Sequence, residues 1–341
     1  MARTQKTELQ ANLFPTEIYT DKGLSEAFSM IHQGPATNQL SRVSVKKNEP
    51  LKVDPFKGRT LVTSEGLTAS FSSSLLAHNM RPSTQMLLDT LTARMTETGS
   101  KGPVVTMSLT EYMALRGLRD RKSAREQVKK DLDVIFDAQI SFEAGKGKGA
   151  AFLDMRICEA KGIDAKGQIS VSFAPTYFSL VTGYPVMPYA KELLKINSNN
   201  SPFAYGLGRK ILELKNMNAG KPSEDIISVK TLLKAAPGLP TYKEVMATDR
   251  HLTKRIIQPF MDNLDACDAL FTWEFCHSKK RPLTDQELEA LDYSLFERLY
   301  VRIFWRTYPD QTQRLEAKKA VKPRKPRASK EKGPTGGKAG G

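Results

Sequence analysis

Apolar residues recur every three or four positions in several stretches of the chain, and every second position in others. In Ser83–Met95 the apolar positions Met86, Leu87, Leu91 and Met95 stand at helical spacing. That spacing predicts a helix with Ser83 as its N-cap and Gly99 and Gly102 beyond its end. Leu109–Gly117 reads as a short helix closed by Gly117. Arg121–Ala138 reads as a longer one, with the stripe Ala124, Val128, Leu132, Ile135 and Phe136. Pro103–Ser108, Gln139–Ala144, Ala151–Ala160 and Gln168–Ala174 read as strands. Before Pro82 the pattern is broken by Pro15, Gly34, Pro35, Pro50, Pro55 and Gly58. One short hairpin, Arg59–Ser72, turns there at Ser64-Glu65-Gly66, within what otherwise reads as an extended arm.

The order helix, strand, helix, helix, strand, glycine loop, strand is that of a winged helix, a helix-turn-helix followed by a hairpin wing. The glycine loop, Gly145–Ala150, carries Lys146 and Lys148 and is the expected wing. A similar order returns later without clear sequence identity. Ser201–Asn218 is a helix, Ile226–Val229 a strand, Lys230–Gly238 a short helix and Thr248–Ala266 a long helix. The long helix has core positions Leu252, Ile256, Phe260 and Leu264, and Pro259 should kink it or end its first part. Asp268–Cys276 and Arg298–Trp305 then frame a basic turn, His277–Pro282. The expected architecture is α+β: an arm over 1–80, winged-helix domains over 81–184 and 185–305, and a basic tail over 306–341.

Charge sharpens this picture. There are 52 Lys plus Arg against 37 Asp plus Glu, a net of +15. From Glu316 onward nine basic and two acidic residues give +7, with almost no apolar side chains. Such a segment gains too little from burial to offset ordering entropy, and is expected to be a flexible polycation with salt-sensitive affinity for nucleic acid. A solubilising tail, or a docking segment for an acidic protein, is the other reading. In the first long helix Arg121, Arg125 and Lys129 stand four apart on one face, with Lys122 beside them. In the second, Arg250, Lys254 and Arg255 flank the stripe, and Lys279, Lys280 and Arg281 cluster in the following turn. Basic residues at the start of a helix can reach base edges, and those on its flanks or in a wing can reach phosphates. The plain reading of any such run is a solvated helix face.

Other classes lack their signatures. No run of about 20 apolar residues predicts a membrane span, and the N-terminal stretch lacks the apolar core of a secretory signal. Three cysteines, Cys158, Cys267 and Cys276, cannot all pair with one another, which fits a reducing cytoplasm. No phosphate-binding P-loop is present. His32, His78, His251 and His277 are scattered, so no metal site stands beside a nucleophilic tyrosine for nicking DNA, and no cofactor is expected.

Leu252–Ala266 with the strand after it, Ser201–Lys215, and Ser108–Phe142 resemble the plasmid replication initiator (Rep) proteins of theta-type replicons. In the first of these the shared features are Arg255, Ile256, Ile257, Pro259, Phe260 and Leu264. The resemblance runs from about Met80 to Trp305. It implies a non-enzymatic protein that binds direct repeats in double-stranded DNA at an origin, promotes its opening and recruits host helicase machinery. It also implies that the second domain does much of the repeat reading, while the first supports dimerisation or further DNA contact. A transcriptional regulator with tandem winged helices is the first rival, and a DNA-nicking enzyme the second.

Overall fold

The computed structural model describes residues 27–46, 50–64, 66–144, 151–248, 251–278, 280–306 and Tyr308. Strand β1 (Phe28–His32) and helix α1 (Pro35–Leu40) come first. Strands β2 (Lys52–Val53), β3 (Thr60–Ser64) and β4 (Leu67–Phe71) precede helices α2 (Ser74–His78) and α3 (Pro82–Glu97). The helix-turn-helix unit follows as β5 (Val104–Ser108), α4 (Leu109–Arg116) and α5 (Arg121–Asp137). Two hairpins come next: β6 (Gln139–Ala144) with β7 (Ala151–Arg156), and β8 (Cys158–Ile163) with β9 (Gln168–Phe173).

The second hairpin is the one that joins β5, giving the sheet order β5-β9-β8. The wing of the first unit is therefore the turn 164–167, and not Gly145–Ala150 as the sequence suggests. The β6–β7 hairpin belongs instead to a five-stranded sheet, β2-β3-β4-β6-β7. The stretch Ala151–Ala160 is two strands in two sheets, separated at Ile157, whose side chain is buried. Residues expected to form an arm are built into this unit: β4 pairs with β6, and Val62, Leu67, Ala69 and Phe71 enter its core. Their alternation buries one face of the sheet, and that burial is what orders the segment.

Helix α6 (Pro175–Thr182), strand β10 (Val186–Ala190) and helix α7 (Glu192–Lys195) lead into the second unit. There α8 (Ala204–Met217), β11 (Ile226–Ser228), α9 (Val229–Lys234) and α10 (Tyr242–Thr248) are followed by a π-helical turn, Thr253–Ile257. Helix α11 (Gln258–Asp265) continues from that turn without a break. Pro259 thus sits in the first turn of α11, where its missing N–H and fixed φ are tolerated. The wider turn before it removes the clash that an α-helical ladder would impose at this proline. Strand β12 (Phe271–Cys276), helices α12 (Asp285–Glu289) and α13 (Tyr293–Arg298), and strand β13 (Tyr300–Trp305) complete the unit, with the sheet order β11-β13-β12. Its wing is longer than the sequence suggests, because α12 and α13 lie between the two strands.

Helix α3 is buried nearly all round, because it is shared by two cores. Leu87, Leu88, Leu91 and Met95 face the first core, and Met86 faces the second. Its N-cap is Arg81 rather than Ser83, with Pro82 at the first helical position. The hydroxyls of Thr90 and Thr92 donate to the carbonyls of Met86 and Leu88, at 2.6 and 2.9 Å, which satisfies them inside the protein. Strand β1 pairs with β10 and adds Phe28 and Ile31 to the second core. Among the described residues no helix is long and apolar enough to cross a membrane. The expectations for the tail fall outside the described residues, apart from Arg306 and Tyr308.

Candidate nucleic-acid interface

Helix α5 starts at Asp120, whose side chain accepts from the Lys122 backbone N–H at 3.0 Å and from the Ser123 hydroxyl. The Ser123 hydrogen bond and then that backbone bond hold the Asp120 carboxyl below its ordinary range. The predicted core face is real at Ala124, Val128, Leu132 and Ile135, but Phe136 is 37% exposed. Lys161 places its ammonium 5.3 Å from the Phe136 ring centroid and pairs with Asp133.

The basic face divides into two groups. Arg121 donates to the Thr110 hydroxyl at 2.9 Å and to the Lys166 carbonyl at 3.0 Å. Arg125 donates to the carbonyl oxygens of Asp164, at 2.6 Å, and Ile163, at 3.4 Å. Both guanidinium groups therefore clasp the wing turn to α5. Gly167 in that turn has φ +92, a backbone conformation that favours glycine, and a Cβ there would displace the Arg121 guanidinium 2.9 Å away. Lys129 pairs with Glu126 at 2.9 Å. Lys122 points outward from the first turn and makes no side-chain hydrogen bond or ion pair among the described residues. Two cations outside the sequence-predicted set, Lys130 on α5 and Lys166 on the wing, are likewise exposed. Lys146 and Lys148 lie outside the described residues.

In the second unit Arg250 and Lys279 also lie outside the described residues. Lys254 is exposed on the π-helical turn, in an open depression bordered by Thr253, Gln258, Asp292 and Tyr293. Arg255 is exposed on the same turn, while Ile256 and Ile257 are buried beneath it. The wing cations are engaged. Lys280, at φ +66, donates to the Pro222 carbonyl at 2.7 Å. Arg281 meets both oxygens of Glu287, at 2.8 and 3.2 Å. That contact, with the Thr284 backbone N–H, holds the Glu287 carboxyl down at about 2. Cys276 is buried, whereas His277 Nε2 lies 3.2 Å from Glu287 Oε1, so these neighbours do not act on each other.

The helix order and strand pairing define a protein of two tandem winged-helix units, each presenting exposed cations at the start of its candidate reading helix, α5 in the first and the π-helical turn into α11 in the second. No protein-family model matches the chain, and no curated protein matches it. Among solved structures the chain is similar to domains 2 and 3 of RctB, as selenomethionine derivatives, at 13% identity and a TM-score of 0.44. That match covers 78% of this chain and 97% of the other. A second structure of RctB domains 2-3 gives 13% identity and a TM-score of 0.36, over 64% and 82% of the two chains. The WH1 domain of MSBI1.176, a replication protein isolated from a multiple sclerosis patient, is 20% identical with a TM-score of 0.25, over 34% and 84%. The winged-helix assignment rests on the pairing of β5 with β9 and of β11 with β13, each next to its helix-turn-helix.

Proposed function

We propose that this protein is a non-enzymatic, sequence-specific DNA-binding initiator of plasmid replication, which binds direct repeats at an origin and promotes its opening. The observation that carries the DNA-binding part is the repetition of one device in a single chain: a helix-turn-helix, exposed cations at the start of its reading helix, and a wing beside it. A helix in the major groove uses its first residues on base edges, and flanking cations fix the register on phosphates. In this reading Lys122, with Lys130 and Lys166 nearby, serves the first unit, and Lys254 and Arg255 serve the second. Arg121 and Arg125 act by holding the wing.

The step from DNA binding to initiation rests on the sequence resemblance to Rep proteins over Met80–Trp305. Recruitment of host helicase machinery and dimerisation belong to the same proposal. Footprinting on the DNA flanking the gene tests it. Several phased direct repeats beside an AT-rich tract, with that tract becoming reactive to a single-strand probe when the protein is added, are expected. A single protected palindrome beside a promoter would make the protein a transcriptional regulator instead.

A further inference from the structure

Between the two units lies an open cleft of about 970 Å³. One wall is the turn from α4 into α5, with Arg116, Arg119 and Asp120. The other is the junction of α7 and α8, with Lys195 at its edge. Lys46 and Arg81 complete the charged lining, which therefore holds five cations and one carboxylate. The start of α5 borders the cleft. Lys46 reaches across to Glu244 on α10, at 2.7 Å, just ahead of the π-helical turn.

These cations are not equally engaged. Lys46 is held by Glu244, and Lys195 by Glu192 at 2.5 Å. Arg116 donates to the Tyr112 hydroxyl at 2.9 Å, but its buried Nε has no hydrogen-bond partner among the described residues. Arg81 and Arg119 are exposed and make no side-chain hydrogen bond or ion pair among the described residues. The guanidinium groups of Arg81 and Arg119 thus border one open space with donors to spare, and Arg116 lines it beside them. Guanidinium forks suit phosphate oxygens better than point charges do.

We propose that this cleft binds the phosphodiester backbone of the DNA duplex where it passes between the grooves read by the two units. The inference rests on the DNA-binding reading above and adds a site to it. Backbone is favoured over a single strand or a free nucleotide because the cleft holds no exposed Phe, Tyr or Trp platform: Tyr112 is buried in the first core, Phe203 lies half-buried against Gly238, where a Cβ would come within 2.5 Å of the ring, and the half-buried His78 ring is held by the Ser74 carbonyl at 2.7 Å. Single-strand sites pair basic grooves with exposed aromatic platforms. Phosphate contacts of this kind fix the position of the protein on the duplex without reading sequence.

The test is a salt titration of DNA binding by the full chain, the double variant R81A/R119A, and the control Lys52→Ala on strand β2 outside the cleft. The probes are the footprinted duplex, a random duplex and a single strand of the same sequence, with phosphate-ethylation interference on the footprinted duplex. The double variant should lose roughly 1.8 units of slope in log affinity against log salt, about 0.9 for each phosphate contact. Its affinity should fall by a similar factor on both duplexes, with sequence preference kept. Interference should disappear at phosphates between the two halves of the footprint. A slope change no larger than that of the control, with interference intact, overturns the cleft and leaves the reading helices standing. A loss confined to the single strand also overturns it, in favour of a single-strand site. A parent protein that binds no DNA ends both proposals.

Discussion

Asp89 on α3 and Arg209 on α8 form a buried ion pair, Oδ2 to Nε 2.7 Å, that ties the opening helix of one winged-helix unit to that of the other. The Tyr205 hydroxyl also donates to Asp89 Oδ2, and Arg209 reaches Asn38 Oδ1 at 3.3 Å. Burial works against the Arg209 charge, but Asp89 more than offsets it, and the guanidinium is held above its ordinary range. Removing one partner leaves the other charged and buried. D89A should therefore lower the free energy of unfolding by about 3–5 kcal/mol, while the apolar double variant D89L/R209M should recover most of that loss. Urea denaturation of the three proteins checks this. A double variant as unstable as D89A would mean that the charges themselves hold the units together.

The wing clasp of the first unit separates structural from reading arginines. Arg125 donates to two wing carbonyls, and hydrogen bonds of this charged type contribute about 1.5–3 kcal/mol. R125A should lower stability by an amount in that range and loosen the wing, without changing which DNA sequence is preferred. Denaturation, together with selection from a random DNA library, distinguishes this from a base-reading role. A changed consensus with unchanged stability would return Arg125 to the groove.

Arg281 in the second wing is neutralised by Glu287. E287Q should free the guanidinium and raise affinity for duplex DNA at low salt, steepening the salt dependence by up to about 0.9 units. R281A should have a smaller effect than E287Q, and in the opposite direction. Fluorescence anisotropy against salt measures both. Equal affinity for E287Q and the parent would place the wing tip away from DNA.

Asp131 on α5 is a buried carboxylate whose Oδ1 accepts from Thr84, Ser83 and Gln127, at 2.7, 3.0 and 3.0 Å. Its Oδ2 has no partner among the described residues. Burial pushes the carboxyl above 3.8 despite the three donors. The folded state therefore holds the proton at pH values where the unfolded chain has released it. This contribution to stability is present below the ordinary carboxylate pKa and is lost as pH rises through the folded one. Measured between about pH 4 and 7, the stability of the parent relative to D131N should fall, then level off. A difference that stays constant with pH would mean that Asp131 titrates normally.

Local elements were legible because local rules decide them. The period of Ala124, Val128, Leu132 and Ile135 marks α5, Gly117 at φ +63 ends α4, and Gly66 at φ +97 stands just before β4. The choice between the two hairpins after α5 was not legible. Both alternate, and Gly145–Ala150 looks the more wing-like. The sheet is decided by the pairing of Val105 with Val171 and of Met107 with Ile169, distant in sequence. In the same way, the four-residue spacing of Arg121 and Arg125 gives them a common face but cannot reveal the wing carbonyls opposite. Arg209 sits among residues of a basic-looking helix, and only the packing of α8 against α3 makes it interior. The cleft arginines, Arg81, Arg116 and Arg119, meet through the packing of α3 against the α4–α5 pair within the first unit.

Whether both units read grooves of one DNA site is decided by missing-base footprinting of the full chain beside Lys122→Ala and Lys254→Ala. The parent should protect two major-groove patches within each repeat. K122A should weaken one patch and K254A the other, with the dependence on guanines disappearing only in the affected half. Protection of a single patch, or a pair of variants that both leave the two patches unchanged, would mean that the two units do not both read the DNA through these helices.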